Sequence, residues 1–241
     1  VWPILPEDQT EWPLIRFSNT STTDYAFVQI SISSVKSGDD YVDPNLDIEF
    51  SFNGVYWRKL EYKHTYGIWI APNVKDLKKE ASDFYWNIVY DKYFYCRNLY
   101  VRGTNNTSVQ GLNIRVTHGD SDSPYSEIHC MGNIMSLLDY NTLPTEMTTE
   151  YCFKDLFYVI GSVTAKTLSP LKTAPKLTAT NLTKGCYSGL FHNCTSLIEA
   201  PELPATTLYE NCYEKMFENC YDLSIAPELP ATNIAASCYK S

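Results

Sequence analysis

The sequence contains no apolar run that approaches the roughly 18–20 residues of a membrane-spanning helix. It also lacks any cluster of lysine and arginine, and its 28 acidic side chains outnumber the 19 basic ones to give a net charge of -9. A chain of this charge repels phosphate groups, which argues against nucleic acid and anionic membranes as partners. We therefore expect neither membrane insertion nor nucleic-acid binding.

The common catalytic and cofactor motifs are missing as well. The sequence contains no G-x-S-x-G, Walker A, H-E-x-x-H or glycine-rich dinucleotide motif. No two of its 8 cysteines have the C-x2-C spacing of a zinc site, and its 4 histidines follow no regular spacing. The aspartates of positions 39–43 and 120–122 lack the EF-hand pattern, so solvated turns are favoured over calcium sites. We expect a protein that is not an enzyme and that holds no cofactor or metal.

The cysteines instead reveal an internal repeat. Cys186, Cys212 and Cys238 are 26 residues apart, and Cys194 and Cys220 have the same offset. One unit reads CYSGLFHNCTSLIEAPELPATTL from position 186, and the next reads CYEKMFENCYDLSIAPELPATNI from position 212. This period lies within the roughly 20–29 residues of leucine-rich repeats, whose units stack and share one core.

Each unit predicts a short strand, a proline corner and a helical return turn. Pro201 and Pro204 cannot donate hydrogen bonds to a sheet, so the strand should be very short or end near them. Tyr213, Met216 and Phe217 have the i, i+3, i+4 spacing of one face of a helical or 3₁₀ turn. We therefore expect a brief strand and a helical turn in every unit.

The repeat also accounts for six of the cysteines, counting Cys152 at the start of a looser earlier copy. A buried free cysteine behaves as a small hydrophobic side chain, and equivalent positions in stacked units offer poor disulfide geometry. Reduced core thiols are therefore favoured, with bridges between units or between Cys194 and Cys212 as the alternative. Cys96 and Cys130 lie outside the array and are the pair to test first for a disulfide.

The two units resemble the leucine-rich repeats of BspA-like surface proteins, the Treponema-pallidum-type repeat. The segment Gly132–Leu138 resembles the lead-in to such arrays in gut Bacteroides-type proteins, and the stronger likeness covers residues 129–241. Ser51–Trp57 and Tyr100–Asn105 resemble the N-terminal β module of these proteins more weakly. The resemblance implies cell-surface display or secretion, adhesion to other surfaces, and no catalytic residues. The start at Val1 lacks signal-peptide features, so a signal was removed upstream or the protein is intracellular.

The first 128 residues have the pattern of a separate β domain. Asn53-Gly54, between two β-rich runs, predicts a hairpin because both residues accept positive φ. Lys75–Ser82 is the one segment expected to be helical. Roughly seven or eight short strands are predicted, at Leu14–Phe17, Tyr25–Ser33, Leu46–Phe52, Val55–Leu60, Gly67–Ala71, Asn87–Val101, Leu112–Thr117 and Glu127–Met131. The expected fold is mainly β with short helices: an Ig-like β-sandwich over 1–128, then a leucine-rich-repeat solenoid of 26-residue units over 129–241 with an incomplete last repeat.

Two sets of residues are candidates for partner binding. The first is aromatic, because exposed tyrosine and tryptophan offer large contact area at low entropy cost; it comprises Trp57, Tyr62, Trp69, Tyr93 and Tyr95. Their alternative role is packing in the core or in cross-strand pairs. The second set lies between the apolar columns of the repeat, on the face that repeat proteins use for partners; it comprises Lys172, Lys176, Glu199, Glu202 and Glu228. The glutamates are alternatively solvated side chains without a partner.

These features predict a non-enzymatic adhesion protein that recognises a host or bacterial surface protein or glycan. A phage or prophage tail-fibre-like receptor-binding component is the first alternative. A carbohydrate-binding module that stacks sugars on its aromatic rings is the second. The last unit stops at Ser241, without the apolar pair that Met216 and Phe217 supply one unit earlier. We expect that the natural chain continues, that this end is frayed, or that it pairs with another copy.

Overall fold

The structure, a computed structural model, describes residues 13–21, 26–70, 84–85, 93–118, 126–160 and 169–240. Within these residues the chain is mainly β, as predicted, and the one helical segment is a short 3₁₀ helix, Ile134–Leu137. The other described elements are strands and stacked turns. The predicted helical segment Lys75–Ser82 lies outside the described residues.

The described strands form two main sheets and one hairpin. In spatial order, the six-stranded sheet contains β13 (Leu171–Thr173), β12 (Ile128–Met131), β1 (Ile15–Asn19), β10 (Asn98–Gly103), β5 (Ile48–Ser51) and β6 (Arg58–Lys59). The five-stranded sheet contains β11 (Leu112–His118), β2 (Ala26–Ile32), β7 (Thr65–Ile70), β9 (Tyr93–Cys96) and β8 (Phe84–Tyr85). The hairpin pairs β3 (Val35–Ser37) with β4 (Asp40–Val42). Pairing is antiparallel except between β7 and β9 and between β12 and β13.

Alternation of buried and outward side chains produces a core between the two sheets. In β1, Ile15 and Phe17 are fully buried, whereas the intervening Arg16 is partly exposed. The ring of Phe50, in the six-stranded sheet, lies 5.1 Å from that of Tyr66, in the five-stranded sheet. Buried residues of both sheets belong to one hydrophobic cluster, so the sheets pack against each other.

The hairpin predicted at Asn53-Gly54 is present, but its loop is wider than a two-residue turn. β5 and β6 pair antiparallel, with residues 52–57 as the connection. Gly54 has a positive φ of 73°. The Asn53 side chain instead accepts hydrogen bonds from the N–H groups of Val55 and Tyr56, at 2.9 and 3.0 Å. Such local bonds stabilise a broader loop, which the dipeptide alone does not predict.

Residues 129–240, called the repeat array below, stack in successive units. The rings of Tyr187 and Tyr213 lie 5.9 Å apart with planes 3° apart, and those of Phe157 and Phe191 lie 5.4 Å apart with planes 3° apart. Parallel backbone bridges join equivalent positions of neighbouring units. Stacking therefore buries apolar columns that one unit of this size cannot bury alone.

The return segment of each unit is a ladder of separate turns, where the spacing predicted a helical or 3₁₀ turn. In one unit φ is positive at every fourth residue, at Gly185, Gly189 and Asn193. The N–H of Ser188 donates back to the Gly185 carbonyl at 3.1 Å, whereas the N–H of Gly189 donates to Glu214 of the next unit at 2.8 Å. A helix bonds its N–H groups within itself, so this alternation excludes one. Glycine and asparagine suit these positions because they adopt positive φ most readily.

The repeat array packs directly on the N-terminal sheets. β13 pairs with β12 and so extends the six-stranded sheet into the array. The N–H of Ile114 in β11 donates to the Leu156 carbonyl at 2.7 Å, and the ring of Phe17 lies 6.2 Å from that of Phe157. One hydrophobic cluster contains residues from both sides of position 128, so the boundary expected there separates two sequence patterns within a shared core.

Candidate functional site

The outward side chains of the short strand segments form one surface of the array, called the strand face below. It comprises Lys172, Thr173, Lys176, Ile198, Glu199, Glu202, Ser224, Ile225 and Glu228. The N–H of Ile198 donates to the Lys172 carbonyl at 3.2 Å, and the N–H of Ser224 donates to the Ile198 carbonyl at 3.0 Å. Equivalent residues of successive units consequently form rows, with neighbours about 4.8 Å apart as in a sheet.

Charge on the strand face changes sign from one end to the other. Lys172 and Lys176 lie beside β12, and Glu202 and Glu228 follow at the positions equivalent to Lys176 in the next two units. Among the described residues, Lys176, Glu202 and Glu228 have no oppositely charged partner within 4.0 Å, whereas Lys172 lies 3.8 Å from Asp222. The row of Lys176, Glu202 and Glu228 therefore presents one ammonium group followed by two carboxylates, and all three side chains are exposed.

A pocket of about 450 Å³ lies where the strand face meets the six-stranded sheet. Its lining includes Ser18, Thr20, His129, Met131, Thr173 and Lys176. Ser18 of β1 lies opposite His129 of β12, and His129 lies opposite Thr173 of β13. Because all three are outward positions, the pairing brings a hydroxyl, an imidazole and a second hydroxyl into one row. The pocket thus combines apolar walls with several hydrogen-bonding groups and an ammonium.

His129 is a partly buried pocket residue whose imidazole has a pKa below its ordinary value. Burial lowers the pKa of its imidazole, with the carboxylate of Glu127 acting against the shift and the ammonium of Lys172 adding to it. The Thr173 hydroxyl donates to the Cys130 carbonyl at 3.2 Å and lies 3.4 Å from Nδ1 of His129. Thr173 thus links the His129 ring to the backbone of the neighbouring strand β12.

Trp57, from the predicted aromatic set, lies away from this pocket. Its ring stacks on the guanidinium of Arg102, with Cζ 3.8 Å from the ring centroid, and Tyr140 contacts the same group at 4.2 Å. Arg102 also pairs with Glu49, with Nη2 2.7 Å from Oε2. Trp57 adjoins β6, which is at the opposite edge of the six-stranded sheet from β13. It therefore stabilises a buried arginine in the N-terminal part of the molecule.

Tyr62 and Trp69 are likewise engaged within the N-terminal sheets. The Tyr62 hydroxyl donates to the carboxylate of Asp43 and lies 2.6 Å from the Ser34 hydroxyl. The Trp69 ring lies 4.9 Å from that of Phe27 on the neighbouring strand. Both side chains therefore make structural contacts within the N-terminal part of the molecule.

The structure divides the ten predicted residues into two groups. Lys172, Lys176, Glu199, Glu202 and Glu228 share the strand face, whereas the five aromatic residues lie in the N-terminal part of the molecule. Among these five, Trp69, Tyr93 and Tyr95 belong to the five-stranded sheet, where Tyr95 pairs with Trp69. Trp57 adjoins β6, and Tyr62 lies in the turn before β7. Sequence reasoning missed His129, Ser18 and Thr20 as pocket residues. Alternation along Ile128–Met131 identifies His129 as outward, but no sequence pattern brings β1 beside β12.

All eight cysteines are free thiols in the structure, and seven are buried. Burial raises the pKa of Cys152 and of Cys220 to about 12, and that of Cys212 to about 11. These thiols are protonated at neutral pH and are therefore poor nucleophiles and poor metal ligands. In the described part of the chain, no three His, Cys, Asp or Glu side chains are arranged to hold a metal ion.

No protein-family model, curated protein or solved structure matches this chain. Among the described residues, no helix has the length and apolar character needed to cross a membrane.

Proposed function

We propose that this chain is a non-enzymatic binding protein, displayed on a cell surface or secreted, that recognises a macromolecular partner through the strand face. The observation that carries the proposal is the row of Lys176, Glu202 and Glu228 beside the pocket. These three charged side chains are exposed and have no intramolecular ion pair among the described residues. Backbone hydrogen bonds four residues earlier in each unit, from Ile198 to Lys172 and from Ser224 to Ile198, hold the units in register, and preorganisation of this kind reduces the entropy cost of binding.

The architecture proposed with this function is a BspA-like leucine-rich-repeat solenoid behind an Ig-like β-sandwich. The stacked 26-residue units, with short parallel strand segments and proline corners, support the solenoid. Two mainly antiparallel sheets with a common core support the sandwich. Stacked repeats offer a long, regular surface to a partner, which fits a role in adhesion.

The test uses the full chain, immobilised and exposed to extracellular-matrix and bacterial-envelope proteins. Lys176→Glu and the double variant Glu202→Lys/Glu228→Lys alter the strand face. Lys36→Glu, on the exposed hairpin strand β3, is the matched control. We expect the strand-face variants to weaken retention about tenfold, which is about 1.4 kcal/mol, and the control to leave it unchanged. No retention at micromolar concentration, or equal retention by all variants, would contradict the proposal.

A further inference from the structure

We infer that the strand face accepts an extended peptide segment of a protein partner, with one acidic residue at one end and basic residues two and four positions away. The inference rests on the proposed function, because it names the partner chemistry of the same face. It is carried by the order and spacing of charges along one row of the array, together with the pocket at the head of that row.

The spacing follows from the stacking of the units. Lys176, Glu202 and Glu228 occupy equivalent positions in three successive units. Two steps of about 4.8 Å separate the first from the last, or about 10 Å in total. An extended chain advances about 3.3 Å per residue, so it covers this distance in about three residues. Only alternate side chains of an extended chain face the row, about 6.6 Å apart, so an acidic side chain over Lys176 places basic side chains two and four positions on within reach of Glu202 and Glu228.

The pocket favours a peptide carboxylate at the lysine end. Lys176 lines the pocket and has no oppositely charged partner among the described residues, so its ammonium group is available to a peptide carboxylate. The apolar groups of Met131 and Ala174 accommodate the aliphatic part of a side chain, and the Ser18 hydroxyl can donate to a carboxylate, whereas the Thr20 hydroxyl donates to Oε2 of Glu127 at 3.4 Å. The described lining residues include no aromatic ring on which a sugar could stack.

Charge order rather than total charge provides the selectivity. A segment with two acidic residues over Glu202 and Glu228 meets like charges, which is unfavourable and suppresses wrong partners. These groups are exposed, so the preference should weaken as salt is added. A peptide can bind along the row in either chain direction, because only the spatial order of its charges matters.

The test measures fluorescence anisotropy of two labelled synthetic peptides with the full chain. Both contain one glutamate and two lysines at alternate positions in a serine and valine background. In the first the glutamate stands at the end of the set, Glu-x-Lys-x-Lys, and in the second it lies between the lysines, Lys-x-Glu-x-Lys. We expect the natural chain to prefer the first peptide at least tenfold at low salt. The triple variant Lys176→Glu/Glu202→Lys/Glu228→Lys should lose this preference, and its far-UV circular dichroism spectrum shows whether it is folded.

The remaining outcomes contradict the inference in distinguishable ways. Equal binding of both peptides, or the same preference in the triple variant, excludes the charge row as the peptide site. Displacement of the first peptide by a carboxylated or sulfated glycan that binds more tightly identifies a glycan as the partner instead. If the peptides fail while Lys176→Glu still abolishes retention of matrix or envelope proteins, the proposed function stands without this inference. If neither peptide binds and Lys176→Glu leaves retention of matrix and envelope proteins unchanged, both this inference and the proposed function are contradicted.

Discussion

Gly189 lies against the carboxylate of Asp155 in the preceding unit of the array, so that a β-carbon at position 189 would overlap Oδ1 of Asp155. Gly189 also has a φ of 64°, in the region that favours glycine. Gly38, in the β3–β4 turn, has nearly the same φ of 63° but no neighbouring atom within 4 Å of the β-carbon position. A comparison of substitutions at Gly189 and Gly38 therefore distinguishes the cost of backbone strain from the cost of close contact between units.

We predict that Gly189→Ala destabilises the protein more than Gly38→Ala. Both changes incur the positive-φ cost of about 1–2 kcal/mol. The first also forces a contact between units, which adds about 1–3 kcal/mol. Urea denaturation of the two variants measures the difference in the free energy of unfolding. Equal costs would mean that the Asp155 carboxylate turns away from the new methyl group or that the turn ladders stack less closely.

Asp155 provides a prediction about pH. Burial raises the pKa of this carboxyl, although Lys154 and His192 act in the opposite direction. A folded-state pKa above the unfolded value means that the folded chain binds the proton more readily, so the charged form costs stability at neutral pH. Asp155→Asn should therefore stabilise the protein at pH 7. The gain should shrink as pH falls through the raised pKa, because Asp155 then becomes neutral itself.

Thermal denaturation of Asp155→Asn and of the natural chain over a series of pH values tests this point. Asparagine retains the tolerance for positive φ that position 155 requires, where φ is 56°. A stability difference that is independent of pH would exclude the titration of Asp155 as its cause.

Tyr187 has a fully buried hydroxyl without a hydrogen-bond partner among the described residues. Leaving a buried hydroxyl unsatisfied costs about 1–3 kcal/mol. We predict that Tyr187→Phe raises the free energy of unfolding, since the ring stack with Tyr213 is retained. Tyr213→Phe is the matched control, because the hydroxyl of Tyr213 is not among the buried unpaired groups. Destabilisation by Tyr187→Phe would indicate a partner or a water at that hydroxyl.

The thiols should react slowly while the protein is folded. Reaction with a disulfide reagent requires the thiolate, and burial raises the pKa of Cys152, Cys194 and Cys220. Cys220 is the most exposed of these and should react before Cys194. A thiol titration in denaturant without reductant should find all eight. A count of six would instead reveal one disulfide, for which Cys96 and Cys130 are the first pair to map.

The repeat period was the most reliable guide to the fold. The 26-residue offset correctly identified which residues stack, as the rings of Tyr187 and Tyr213 show. The backbone of the return segment was not predictable from apolar spacing, because a helix and a turn ladder can bury the same side chains. Glycine and asparagine at every fourth position, as at Gly185, Gly189 and Asn193, indicate the turn ladder in one unit, but the neighbouring units have Tyr151, Asp155 and Lys215 at such positions, so the signal is incomplete.

The site was predictable only where it depends on the repeat. The row of Lys176, Glu202 and Glu228 follows directly from the period. The pocket depends on β12 pairing with both β1 and β13, whose residues are far apart in the chain. Such long-range pairing leaves no local pattern in a single sequence, and His129 could not be assigned to a pocket without it.

The central claim, that the strand face is the binding surface, is tested most directly by site-specific photo-crosslinking. A benzophenone-bearing residue is placed at Glu199 on the strand face, or at Tyr209 or Tyr56, which are exposed elsewhere. Each protein is illuminated with the matrix and envelope fractions. The account predicts a discrete crosslinked partner from position 199 and none from 209 or 56. Crosslinks from position 209 or 56 with none from 199 would contradict it.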